Sequence, residues 1–158
     1  MAKLIVVMGV SGCGKTSVGT ALADVLSLPF FDADDYHPTA NKKKMQAGIP
    51  LEDSDRIPWL ERLNSLCQSH LESGLVLACS ALKQSYRDLL SKDIQIEWVY
   101  LKGSFELIFQ RLEARHHQYM PSSLLQSQFD TLEEPKGAIE VSIDQSIESI
   151  ILQIKEQL

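Results

Sequence analysis

LIVVMGVSGCGKTSVGTALADVL, residues 4–26, decides the fold. KLIVVMGV (3–10) is a near-continuous apolar run, the pattern of a strand buried on both faces of a parallel sheet. Val18, Ala21, Leu22, Val25 and Leu26 recur at helical spacing and stop before Pro29. Between strand and helix lies GVSGCGKT: Gly9, four residues, Gly14, Lys15, Thr16. This is the phosphate-loop pattern in its required context. Glycines let successive N–H groups turn inward around phosphate oxygens, and the helix start adds its positive dipole end. Gly9, Val10, Ser11, Gly12, Cys13, Gly14, Lys15, Thr16 and Ser17 are therefore the expected nucleotide-binding residues. Lys15 would reach the β- and γ-phosphates, and Thr16 would ligate Mg²⁺. The dinucleotide fingerprint fits poorly, because a third glycine would have to replace Ser17. Cys13 reads as a small residue in a tight loop ahead of a redox switch.

The rest of the chain alternates in the same way. FFDAD (30–34), LVLACSAL (75–82), IEWVYLKG (96–103) and AIEVSID (138–144) read as strands two to five. Asp55 is expected to cap a helix with Pro58 in its first turn and Trp59, Leu63, Leu66 and Cys67 on its apolar stripe. Ser104 starts another, with Phe105, Ile108 and Leu112 on one face. Ser146 starts the last, with Ile147, Ile150, Ile151 and Ile154. The expected fold is α/β: a P-loop NTPase three-layer sandwich with a mostly parallel five-stranded sheet. No Gly-, Ser- or Pro-rich linker divides it, so one domain over 1–158 is expected.

Composition bounds the function. At 158 residues, 44% hydrophobic and 23% charged, the chain has the make-up of a globular protein with one sizeable core. A net charge of −6 without a basic block argues against nucleic acid. Its apolar runs are strand-length, so no membrane partner is expected. MAKLIVVMGV has one lysine and no cleavage site, and the three cysteines form no framework; both point to a reducing cytoplasm.

FFDADDYHP (30–38) packs Asp32, Asp34, Asp35 and His37 beyond strand two, where strand ends of an open α/β sheet face the ligand crevice. In-line phosphoryl transfer needs a base for the acceptor hydroxyl, a metal ion and cations. Asp34 resembles the second aspartate of the Asp-x-Asp pair in shikimate kinases, which implies that it is the base; Asp32, nearer the phosphate loop, is the expected Mg²⁺ partner. Asp35 and His37 are candidates for substrate hydroxyls, with helix capping near Pro38 the alternative for Asp35. NKKKM (41–45) is a basic patch that could steer an anion, with a solvated helix face the favoured reading for Lys42 and Lys43.

MGVSGCGKT, DADDYHP, NKKKMQAGIPLEDSDRIPWL, LACSALKQSYRDLL, YLKGSFELI, RLEAR and LLQSQFDTLEEP resemble, in order, blocks of the gluconokinases, over residues 3 to 158. The chain is also similar in plan to shikimate and nucleoside monophosphate kinases. The resemblance implies ATP-dependent phosphorylation of D-gluconate at its 6-hydroxyl, and a homodimer. A sugar acid calls for cations: Arg56 and Arg87 are the bidentate candidates, with Ser80 and Lys83 beside them. A lid is expected at about 112–135. Arg111 and Arg115, four apart on one helix face, would close on the ATP phosphates, Arg115 as a catalytic group. RHHQYM departs from the family's expected Arg/Lys-Gly-His-Phe run, which leaves the hinge and the roles of His116 and His117 open. Asp144 and Gln145 are placed near the adenine by position alone. Against a shikimate-like kinase stands Ser80-Ala81-Leu82-Lys83, where a triple-glycine loop would be expected; a non-catalytic ATP-binding module is the other alternative.

Overall fold

The computed structural model describes residues 2–114 and 122–158; Arg115, His116 and His117 lie outside them. Five strands form one sheet: β1 Leu4–Met8, β2 Phe30–Asp32, β3 Leu75–Ala78, β4 Glu97–Lys102 and β5 Ile139–Ser142. Their order is β2-β3-β1-β4-β5, and every pairing is parallel. The helices are α1 Lys15–Leu26, α2 Thr39–Gln46, α3 Asp53–Gln68, α4 Gln84–Leu90, α5 Phe105–Glu113, α6 Ser122–Thr131 and α7 Ile147–Gln157.

The alternation of β1 explains the three layers. Ile5 and Val7 point into a core closed by α1, α5, α6 and α7. Leu4, Val6 and Met8 point into a second core closed by α3 and α4, around Trp59, Leu60, Leu63, Tyr86 and Leu90. All five β1 residues are buried, as a central strand covered on both faces requires. Among the described residues, no helix is long and apolar enough to cross a membrane.

Three boundaries differ from the sequence expectation, each for a local reason. β2 ends at Asp32, not Asp34, because the Asp32 carboxylate accepts the Asp34 N–H at 2.9 Å and starts a 3-10 helix, Ala33–Tyr36. β3 ends at Ala78 instead of running to Leu82; Ala81 adopts a φ of 45°, which no strand continues through. α3 starts at Asp53, so Asp55 is not its cap. Glu52 is the N-cap and Asp55 the third helical residue, accepting the Glu52 N–H at 2.9 Å in a capping box. Pro58 then falls in the second turn, where its missing N–H forgoes only a bond to Ser54 at the exposed start of the helix. Ser104 and Ser146 cap α5 and α7 as expected, each accepting an N–H three residues on. Asp35 caps nothing at α2, whose N-cap is Pro38.

Candidate active site

Register alone brings two functional segments together. Asp32 pairs with Ala78, and Ala78 with Val7, so the ends of β2, β3 and β1 lie level. Two residues further on, Gly9 opens the phosphate loop and Asp34 stands in the 3-10 helix. The loop after β3 lies between them, with the Gly9 N–H donating to the Ser80 carbonyl at 3.3 Å.

The phosphate loop is made of backbone. Gly14 precedes α1 with φ 97°, a conformation glycine takes at no steric cost, and no side chain caps the helix. The first-turn N–H groups of α1 thus face the crevice as anion donors. A Cβ on Gly12 would meet Leu112 Cγ at 2.8 Å, so α5 lies hard against the loop and fixes its shape. Lys15 Nζ donates to the carbonyls of Gly9 and Val10, at 2.9 and 3.1 Å, and is held over the loop's mouth. Cys13 is buried, and desolvation raises its pKa although Lys15 pulls the other way; the protonated thiol is unreactive.

Thr16 Oγ1 donates to Asp32 Oδ2 at 3.5 Å, and Asp32 Oδ1 holds the Asp34 N–H. The two expected metal ligands therefore face one another across the crevice. They are hard oxygen donors of the kind Mg²⁺ takes, and so few protein ligands suit an ion that keeps waters and phosphate oxygens. Among the described residues no group of three His, Cys, Asp or Glu side chains forms a closed metal cage. Asp34 has its pKa raised by desolvation first, then by the charges of Asp32 and Asp35, against the pull of Lys15. A carboxylate pushed upward in this way is a better proton acceptor than a free one.

Beyond the aspartates, His37 is buried. Its ring stacks on Trp59 at 4.2 Å between centroids, and Asn41 Nδ2 lies 3.2 Å from its Nδ1. Desolvation, then the charges of Arg56 and Lys42, lower the His37 pKa to about 4, so the ring is neutral at physiological pH. Trp59 Nε1 donates to the Ala33 carbonyl at 2.7 Å and pins the 3-10 helix that carries Asp34. Asn41 Nδ2 also donates to the Asp55 carbonyl at 2.9 Å, and Lys44 pairs with the Asp55 carboxylate at 2.8 Å. Lys44 therefore ties α2 to α3.

The cations divide into two groups. Arg56 Nη1 donates to the Leu51 carbonyl at 2.8 Å, and its guanidinium lies 5.4 Å from the centre of the Tyr86 ring. Lys83 Nζ lies 5.5 Å from the same ring and 3.3 Å from Asp53 Oδ1, which also accepts from the Tyr86 hydroxyl at 2.5 Å. Tyr86 and Asp53 together hold Arg56 and Lys83 on one side of the crevice. Arg87 is different, and its expected substrate role is corrected. It is buried, with Nη1 donating to the Ala81 carbonyl at 2.6 Å and Nη2 to the Glu133 carbonyl at 2.8 Å. Carbonyls on two segments claim the fork that was expected to grip a carboxylate. Arg111 Nη2 donates to the Ile143 carbonyl at 2.7 Å, immediately before Asp144 and Gln145. The expected Arg115 lies outside the described residues.

Sequence reading missed Asn41, Asp53, Trp59 as a site residue, Tyr86 and Gln128. Trp59 and Tyr86 look like core aromatics, and only their polar tips distinguish them.

The shikimate kinase family model matches residues 11–155. A probable gluconokinase of Mus musculus is 44% identical, covering 98% of this chain and 97% of that protein. The thermosensitive gluconokinase of Escherichia coli K12 is 42% identical over 96% of this chain and 84% of its own. The crystal structure of a gluconokinase from Sinorhizobium meliloti 1021 superposes with a TM-score of 0.86 at 42% identity, covering 96% of this chain and 88% of that one. With a phosphate loop, a paired Thr16 and Asp32, and near-full-length likeness at such identities, the chain belongs to the gluconokinases, built on the shikimate-kinase plan.

Proposed function

We propose that the chain transfers the γ-phosphoryl group of ATP to the 6-hydroxyl of D-gluconate, giving 6-phosphogluconate and ADP. The observation that carries the reading is the meeting of Thr16, Asp32 and Asp34 in one hydrogen-bonded run at the phosphate loop. It supports Asp34, a carboxylate of raised pKa, as the group that works beside the γ-phosphoryl donor.

In this scheme the phosphates are bound by the α1 start and by the loop N–H groups other than those of Gly9, Ser11 and Cys13, which donate within the protein. Lys15 leaves its loop carbonyls for the β- and γ-oxygens, where its charge offsets that developing in the transition state. Thr16 and Asp32 would hold Mg²⁺, which when bound neutralises phosphate charge. Asp34 accepts the 6-hydroxyl proton as the oxygen bonds to γ-phosphorus and the bond to the β-bridging oxygen breaks. Arg56 and Lys83, oriented by Tyr86 and Asp53, meet the substrate carboxylate. His37, neutral, offers Nε2 to a hydroxyl. Asp35 and Ser80 complete the polar wall. Arg111 stands at the nucleotide side, and Arg115 is assigned to the phosphates on sequence grounds.

A coupled ADP-release assay on gluconate, shikimate, glucose and AMP tests the proposal. Turnover is expected with gluconate well above the other three; equal or better turnover with shikimate would overturn it in favour of the family whose model the chain matches.

A further inference from the structure

Helix α6 carries an anomaly. Leu125 is fully buried, and Phe129 and Leu132 pack against the same core, with Phe129 5.8 Å from the Phe105 ring centre. Gln128 lies on this same stripe, where helical periodicity calls for an apolar residue. A half-buried amide there forgoes solvent and rotamer freedom and needs a specific partner.

That partner is the phosphate loop, 117 residues away. Gln128 Oε1 accepts the Ser11 N–H at 2.8 Å, and Nε2 donates to Ser11 Oγ at 3.0 Å. The backbone N–H can only donate, so the amide has one satisfactory orientation and both its ends are engaged. Five residues on, the chain leaving α6 is tied to the loop after β3. The Glu133 N–H donates to the Leu82 carbonyl at 2.8 Å, Gln84 N–H donates to Glu133 Oε1 at 2.8 Å, and Arg87 Nη2 grips the Glu133 carbonyl. The end of α6 is thus a strut with one foot on the phosphate loop and the other beside Lys83.

We infer that Gln128 is a positioning residue for phosphoryl transfer: it fixes Ser11, and with it the phosphate loop, at a set distance from the loop that faces the acceptor. The inference rests on the kinase reading above. Neither end of the strut touches the reacting atoms. Its effect is on the alignment of γ-phosphorus with the attacking oxygen, a quantity to which rate is steeply sensitive. The otherwise unexplained burial of Arg87 follows, since its guanidinium holds the second foot.

The test compares wild type with Gln128→Met, which keeps length and apolar packing, with Ser11→Ala, and with the double variant. Gln128→Met is expected to lower kcat by about 10- to 100-fold while both KM values stay within about threefold, as loss of alignment at intact binding requires. Ser11→Ala keeps the N–H bond and should fall between the two. The double variant should be no worse than Gln128→Met alone, because the hydroxyl has then already lost its partner. A kcat within twofold of wild type, or additive losses in the double variant, would overturn the inference, even if melting temperature fell. Amide exchange at Ser11 is read in parallel and should speed up in Gln128→Met. If wild type failed to phosphorylate gluconate, the proposed function would fall, and an unchanged Ser11 exchange rate would separately sink the coupling.

Discussion

The donor and acceptor sides of the crevice are built from different materials. The donor side is a continuous run, Gly9 to Thr16, whose groups are backbone N–H donors, a helix start and two side chains in sequence order. The proposed acceptor side is assembled from the 3-10 helix, α2, α3 and the segment from β3 into α4. Its side chains hold one another: Asp53 with Tyr86 and Lys83, Tyr86 with Arg56, Trp59 with His37. The phosphate chain of the donor is the same whatever the acceptor, so a rigid backbone cradle suffices for it. An acceptor must be distinguished from its relatives, and that calls for a set of side chains that can be exchanged one at a time.

The comparison predicts that donor-side changes cut turnover irrespective of acceptor, whereas acceptor-side changes act on one substrate. The largest effect is expected from Lys15→Met, a loss of about 10³-fold in kcat with every accepted substrate, measured by ADP release. Substrate-dependent losses would break the division. Asp34→Asn, at the boundary, should lower kcat by ~10²-fold or more. Wild-type kcat/KM should fall on acidification through the raised Asp34 pKa, above the ordinary carboxylate value of 3.8, because the base must be ionised to accept a proton. An acid limb unchanged in the Asn variant would assign it elsewhere. Arg56→Ala should raise KM for gluconate by about tenfold or more and leave KM for ATP within about twofold, as loss of one charge-assisted contact implies.

The smallest expected effect concerns stability. His37 is neutral in the fold, with its pKa lowered to about 4 from 6.5, whereas the unfolded chain takes up a proton near 6.5. Its contribution is therefore full above pH 6.5 and lost as pH falls towards 4, amounting to at most about 3 kcal/mol. Denaturant titrations between pH 7 and 4 should show a shallower loss for His37→Asn than for wild type. Parallel slopes would remove His37 from the account.

These two sides also differ in how far they could be read from sequence. The phosphate loop, the sheet's strands, and the pairing of Thr16 with an aspartate at the end of β2 followed from a contiguous motif and a period of two. Asp55 was read one turn wrongly, because a capping box places its acidic residue at the third helical position while the chain shows only a polar residue before an apolar run. Arg87 illustrates the harder failure. An arginine in SYRDLL has the same appearance whether it faces solvent, a carboxylate or buried carbonyls, and Glu133, its partner, lies 46 residues away. The short helix α4 and helix α6 were not anticipated, since seven residues give too little periodicity and α6 fell within the expected lid.

By itself, the sequence determined what depends on neighbours along the chain: a glycine-rich turn between strand and helix, five strand-forming runs, the serine caps and the cluster of aspartates that follows β2. Tertiary structure alone decided which cations face the crevice, that Tyr86 and Asp53 set their direction, and that Gln128 meets Ser11. The reason is physical. Backbone conformation is fixed by local sterics and hydrogen bonding within a few residues, whereas a side chain's partner is fixed by packing between segments that the sequence holds far apart.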